Sequence, residues 1–198
     1  MPLRLSEIRI AGFGGQGVIL SATIIGKAAS IYSGGHAVMT QAFGPESRGG
    51  SSSAQVVISD APILYPYVTR TDVLVALSQE AYTRFIPELK DGGTLIVERD
   101  LVRLHDVGRG IRVYGVPATR LAEELGRRMV MNVVIVGFFA AVTQLLEPDA
   151  LRRAVEDSVP EALRELNLRA FEKGFEHGVA SVPLERPEPE ALPQLLGG

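Results

Sequence analysis

Apolar residues along this chain fall into short runs whose spacing switches between strand-like and helical. Ile8-Arg-Ile-Ala11 reads as a first strand, and residues 18–32 then carry a helical pattern closed by Gly34 and Gly35 as a glycine stop. Residues 36–43 and 54–59 predict two more strands, the second on its β-branched content, with Asp60-Ala-Pro62 turning the chain afterwards. Residues 72–78 hold a continuous apolar run between Asp72 and Ser78, as expected of a strand covered on both faces, and residues 79–89 follow in helical pattern. Asp91-Gly-Gly-Thr94 marks a turn; residues 94–98 and 111–116 predict further strands, and residues 119–125 a helix. Pro148 starts one short helix and Pro160 another that runs to about His177. This order predicts a three-layer α/β fold with a largely parallel sheet, a Rossmann-like glycine turn and a C-terminal helical layer.

Residues 129–146 form an almost unbroken apolar run approaching the length of a membrane span. The run contains Asn132, Thr143 and Gln144 and is flanked by Arg127 and Arg128, so it predicts a core helix or a subunit-interface helix and no membrane segment. A helix apolar all round needs cover on every side, which hints at a partner. After about Val182 the prolines become too frequent for regular structure. The chain therefore divides into a domain at residues 1–180 and a proline-rich C-terminal arm at residues 181–198, expected to pack on a neighbour.

Composition narrows the chemistry. With 198 residues and 46% hydrophobic content the chain can bury a proper core. A net charge of -3 and scattered basic residues give no footprint for nucleic acid. No cysteine is present, which rules out disulfides, a thiol nucleophile and any iron-sulfur cluster held by this chain's own thiolates. The first residues show no basic-then-apolar signal pattern, so a cytoplasmic location is expected.

The most informative segment is Ile8-Arg-Ile-Ala-Gly-Phe-Gly-Gly-Gln-Gly17. Gly12, Gly14 and Gly17 fit G-x-G-x-x-G between a strand and a helix, where missing side chains allow a tight turn and close approach to a pyrophosphate. The amides opening the helix would face the anion, and Gln16 adds a side chain that donates or accepts. The next strand ends with Thr40 and Gln41 and brings no acidic residue for a ribose hydroxyl, which argues against a dinucleotide. The plainer alternative is a tight connection with no ligand.

A second glycine-rich loop, Gly44-Pro-Glu-Ser-Arg-Gly-Gly50, follows that strand and is expected on the same rim, at the carboxyl ends of the strands where open α/β sheets bind ligands. Arg48 is its candidate phosphate or carboxylate partner and Glu46 the counter-ion; the alternative is a solvated loop with a local Glu-Arg pair. Other chemistries fail on inventory. His36, His105 and His177 lie far apart in sequence, with no carboxylate or second histidine at ligand spacing, so no metal site is expected. Ser51, Ser52 and Ser53 occupy no nucleophile elbow, and Lys27 belongs to no G-x-x-x-x-G-K-[ST] motif. No self-sufficient catalytic set remains, and the chain reads as part of an active site.

Taken together, Ile10-Ala-Gly-Phe-Gly-Gly-Gln-Gly17, Gln41-Ala-Phe-Gly-Pro-Glu-Ser-Arg-Gly-Gly50, Val57-Ile-Ser-Asp60 and Asp72-Val-Leu-Val-Ala-Leu77 resemble the gamma subunit of 2-oxoacid:ferredoxin oxidoreductases, over residues 8–177. Arg48-Gly-Gly50 and Leu77-Ser-Gln-Glu-Ala81 look closest to the 2-oxoglutarate branch. The resemblance implies a complex that oxidatively decarboxylates a 2-oxoacid to an acyl-CoA and passes electrons to ferredoxin. Its partners would be alpha and beta subunits and a ferredoxin-like subunit or ferredoxin, and thiamine diphosphate, magnesium and iron-sulfur clusters would sit on those partners. This chain would cover the active site and help bind coenzyme A through Gly12, Gly14, Gly15, Gln16, Gly17, Glu46 and Arg48, holding no cofactor alone; isolated, it is expected to form a homodimer. Two other readings stand beside it: a free-standing dinucleotide- or flavin-binding oxidoreductase, and a purely structural assembly subunit.

Overall fold

A computed structural model of the chain describes residues 5–44, 50–105 and 107–184. Its sheet is built from β1 (Ser6–Phe13), β2 (His36–Phe43), β3 (Ser51–Ser59), β4 (Thr71–Ala76), β5 (Leu89–Glu98) and β6 (Arg112–Val116), in the spatial order β2-β3-β1-β4-β5-β6. β1, β4, β5 and β6 pair in parallel, while β3 runs antiparallel to both β1 and β2. Only β3 opposes the others, so the sheet is largely parallel, as its alternation with helices implied. The helices are α1 (Val18–Lys27), α2 (Gln79–Phe85), α3 (Ala118–Glu124), α4 (Met131–Thr143), α5 (Pro148–Glu156) and α6 (Arg164–Val179).

Strand alternation divides the core in two. Ile8, Ile10, Val56, Ile58, Val73 and Val75 face α1, α4, α5 and α6 in one large cluster. Ala11, Leu74, Ala76, Leu95, Val97 and Val113 face the other way, where Tyr82 and Phe85 of α2 and residues such as Val102 cover them. One outer layer is thus five helices deep in sequence, and the other a single short helix with loops. Interior β4 is buried on both faces, which is why residues 73–77 read as continuously apolar; edge strand β2 is mostly exposed.

Several boundaries differ from the sequence pattern. The helix predicted over residues 18–32 is α only to Lys27 and widens into a π turn at Ala28–Tyr32, closed by Gly35 N–H donating to the Ala29 carbonyl at 3.0 Å. The helix predicted to residue 89 yields at Pro87, where Ile86–Glu88 is a 3-10 turn. The Asp91-Gly-Gly-Thr94 turn is a bulge inside β5, with Gly92 at φ 75° and a register shift between the Leu89 and Thr94 pairings. Ser51, Ser52 and Ser53, read as loop, open β3 because their backbones complete the ladder with Phe13, Gly12 and Ala11.

The apolar run of residues 129–146 becomes α4, and the chain itself supplies its cover: Met131 through Ala140 are all buried, largely against α6, α1, α3 and α5. A Cβ on Gly137 would stand 2.0 Å from the Phe171 carbonyl oxygen of α6, and one on Gly174 2.0 Å from the Val134 carbonyl oxygen of α4. Two glycines thus let the two helix backbones touch. No described helix is long and apolar enough to cross a membrane.

Candidate functional site

β1 delivers the chain to the carboxyl rim of the sheet, and the first glycine turn reverses it into α1. Leu77 N–H donates to the Ala11 carbonyl at 2.8 Å, extending the β1-β4 pairing to the rim, and Gln16 N–H reaches back to the Phe13 carbonyl at 3.1 Å. The Gln16 side chain folds inward over the turn. Its Oε1 accepts from Phe13 N–H at 2.6 Å and its Nε2 donates to the Leu77 carbonyl at 2.9 Å. Both ends of the amide are occupied, so Gln16 braces the turn between β1 and β4. A Cβ on Gly12 would fall 2.3 Å from that Oε1, so the brace requires glycine there.

Gly17 caps α1 at φ 73° with no side-chain cap, and the first turn of α1 carries no acidic residue. The amides of Val18, Ile19 and Leu20 therefore begin a helix whose positive end no carboxylate of its own first turn neutralises. Any side chain on Gly17 would strike Asn132 of α4, whose Cβ is 2.5 Å from the ideal Cβ position. Ser21 ties the two helices together, donating to the Gly17 carbonyl at 3.1 Å and approaching the Asn132 carbonyl at 3.4 Å. α4 also lacks a side-chain cap and an acid in its first turn. Two helix N-termini thus lie side by side at the rim. Between them Asn132, 4% exposed, keeps its Nδ2 without a hydrogen-bond partner among the described residues. A buried orphan donor is costly, which makes Asn132 a functional candidate that motif reading passed over. Its signal in sequence was an amide near the start of an apolar run.

The second loop meets the first by a different route from the one expected. β3, not β2, lies beside β1, and the loop is the hairpin connection between β2 and β3. Its two described ends hold it at the rim: Gly50 accepts from Gly14 N–H at 2.8 Å, and Gly44 N–H donates to Ser51 at 2.7 Å. Gly12, Gly14, Gly15, Gln16 and Gly17 are brought together in the turn, whereas Glu46 and Arg48 lie outside the described residues.

Further along the rim, Glu98 at the end of β5 is fully buried. Burial pushes its carboxyl above the usual carboxylate range, countered in part by backbone N–H groups such as Thr119, which donates at 3.1 Å. Glu98 thereby caps α3. On the sheet's thin face, a cleft lined by Gly12, Ser52, Ser53, Ser78 and Arg84 holds only about 10 Å³, room for a single water. The three histidines are separate: His36 on β2, His105 against Tyr82, and His177 on α6 against Phe138. No group of three or more metal-ligating side chains occurs among the described residues.

Residues 7–177 match the family model described as pyruvate ferredoxin/flavodoxin oxidoreductase. A 2-oxoglutarate synthase subunit KorC of Methanocaldococcus jannaschii is 44% identical over 172 residues, covering 86% of this chain and 92% of the relative. The gamma subunit of a keto/oxoacid ferredoxin oxidoreductase from Geobacter sulfurreducens superposes with a TM-score of 0.82 at 41% identity, over 90% of this chain and 98% of that one. A 2-oxoglutarate:ferredoxin oxidoreductase from Magnetococcus marinus, solved with 2-oxoglutarate, coenzyme A and succinyl-CoA bound, also reaches 0.82 at 26% identity; 96% of this chain matches 34% of that longer one.

Proposed function

The chain belongs to the pyruvate ferredoxin/flavodoxin oxidoreductase family as a gamma subunit, similar to a subunit of 2-oxoglutarate synthase, and from that membership we propose that it binds coenzyme A at the glycine-turn rim of a thiamine-dependent complex. The observation that carries the reading is the uncapped, acid-free N-terminus of α1, open at the carboxyl ends of the strands. Coenzyme A is an anionic substrate whose phosphates suit that positive end. The amides of Val18, Ile19 and Leu20 would hold one phosphate group, with Arg48 pairing a second and Glu46 orienting Arg48. Gln16 acts through the turn as a positioning residue.

Thiamine diphosphate supplies the decarboxylation chemistry when bound, and its magnesium and the iron-sulfur clusters belong to alpha, beta and ferredoxin-type partners, because this chain has no cysteine for a cluster. What this chain contributes is binding and enclosure: a rim laid over the reacting centre excludes water from a reactive acyl group. The 2-oxoacid proposed is 2-oxoglutarate, as in the KorC relative.

The test is steady-state kinetics of the assembled complex carrying Arg48→Ala. Loss of a charge-assisted phosphate contact predicts a KM for coenzyme A raised roughly ten- to a hundredfold, with the KM for 2-oxoglutarate unchanged. Unaltered coenzyme A kinetics would leave assembly as the chain's role.

A further inference from the structure

The two edges of the sheet end differently. At β6 the backbone is partly engaged, because Leu184 N–H donates to the Val113 carbonyl at 2.7 Å on the side that no other strand occupies. At β2 alternate residues turn N–H and carbonyl groups away from β3, and among the described residues no backbone group bonds them. This edge is apolar on both faces. On the face that carries α1, Met39 pairs with Val56 and its sulfur lies 3.8 Å from Thr23 Oγ1; Phe43 follows on the same side, 66% exposed. On the thin face Gln55 Oε1 accepts from Thr40 Oγ1 at 3.2 Å and from Val68 N–H at 3.2 Å, which lays the segment after β3 over the β2-β3 pair. That segment presents Leu64, 95% exposed, with Tyr65 and Tyr67, each at least 60% exposed and their ring centroids 5.6 Å apart.

The surface is also uncharged. β2, β3 and residues 61–69 contain no Lys, Arg, Asp or Glu, although 22% of the chain is charged. The nearest charges along the sequence, Glu46 and Arg48 outside the described residues and Asp60 and Arg70 beside residues 61–69, sum to zero. The one titratable side chain on β2, His36, stands at its first position. Charge depletion with exposed Tyr, Phe and Met is the composition of an interface centre. At about 200 Å² for each large side chain, the exposed parts of Met39, Phe43, Leu64, Tyr65 and Tyr67 come to roughly 650 Å² before any strand backbone, close to the about 800 Å² per partner of a stable complex. Neutrality selects the occupant. A different chain can meet a charge with its opposite, whereas at a two-fold axis each residue meets its own copy and a charge would meet its like. We propose that two copies of this chain associate by antiparallel pairing of β2 with β2, the axis falling near Met39 and Thr40, so that their sheets join and the tyrosine segments close over the seam.

Sedimentation of the purified full chain tests this. The wild type is expected to be a dimer at about 10 µM, and Met39→Lys or Ala42→Lys, both at exposed positions, should raise the dimer dissociation constant about a hundredfold by setting like charges across the axis while leaving the melting temperature of the monomer unchanged. Tyr65→Ser with Tyr67→Ser should raise it about tenfold, and Leu101→Lys, an exposed apolar site after β5, should leave it unchanged. Hydrogen exchange at the outward amides of β2 should slow as the concentration of wild-type chain increases. A chain monomeric at about 100 µM, a dimer indifferent to both β2 lysines, a dimer weakened as much by Leu101→Lys, or protection of β2 that appears only when thiamine-bearing subunits are added would overturn the proposal.

Discussion

Gln16 and Asn132 show how differently two amides can serve one turn. Gln16 spends both ends on backbone groups, so Gln16→Leu should destabilise the chain by about 1–3 kcal/mol and raise the KM for coenzyme A through loss of turn geometry. Asn132 has a donor with nothing to bond among the described residues. If it is kept for ligand, Asn132→Leu will leave thermal stability equal or higher while weakening coenzyme A use, since removing an orphan donor relieves a burial penalty. A drop in stability of the size seen for Gln16→Leu would mark Asn132 as structural. His177 bears on stability. Burial, and then the charge of Arg99, hold its imidazole below the ordinary value of 6.5. The unfolded chain therefore takes up that proton more readily, so stability is present above 6.5 and declines as pH falls through the folded value. Melting temperature followed against pH should show this acid limb in the wild type and a shallower one in His177→Gln.

Between elements, backbone proximity decides what a glycine is for. Gly174→Ala sets a methyl against the Val134 carbonyl and should cost about 1–3 kcal/mol by forcing α4 and α6 apart. Gly26→Ala in α1 meets nothing nearer than 3.9 Å and should instead stabilise by about 1 kcal/mol through helix propensity. Paired thermal denaturation of the two variants tests the contrast in sign. The same distinction marks what was legible in the sequence. Periodicity located the strands, and strand-glycine-helix located the turn, because these signals are local. The position of β3 between β1 and β2 was not legible, since hydrogen-bond partners are chosen across the fold. α4 read as a helix needing cover, but its partner α6 is fixed by Gly137 and Gly174, which look like any helix-weakening glycines until the two backbones meet. Glu98 likewise reads as an acid ending a strand until α3 arrives beside it.

At the scale of the molecule, the gamma chain has a rim with no complete catalytic set among its described residues. Purified alone it should show no 2-oxoacid-dependent dye reduction, and activity should appear when thiamine-bearing partners and coenzyme A are added together. The two long sides of its sheet are unlike. β6 is taken by Leu184, whereas β2 pairs with β3 over eight consecutive positions without a bulge and carries no Lys, Arg, Asp, Glu or Pro. A block with two sticky sides can propagate into a fibre, each copy recruiting the next. A block with one cannot, because a single pairing through β2 consumes the adhesive side of both copies. With the Val113 carbonyl of β6 accepting from Leu184 N–H at 2.7 Å, this chain would act as a terminating unit, in which any strand addition ends at the first partner.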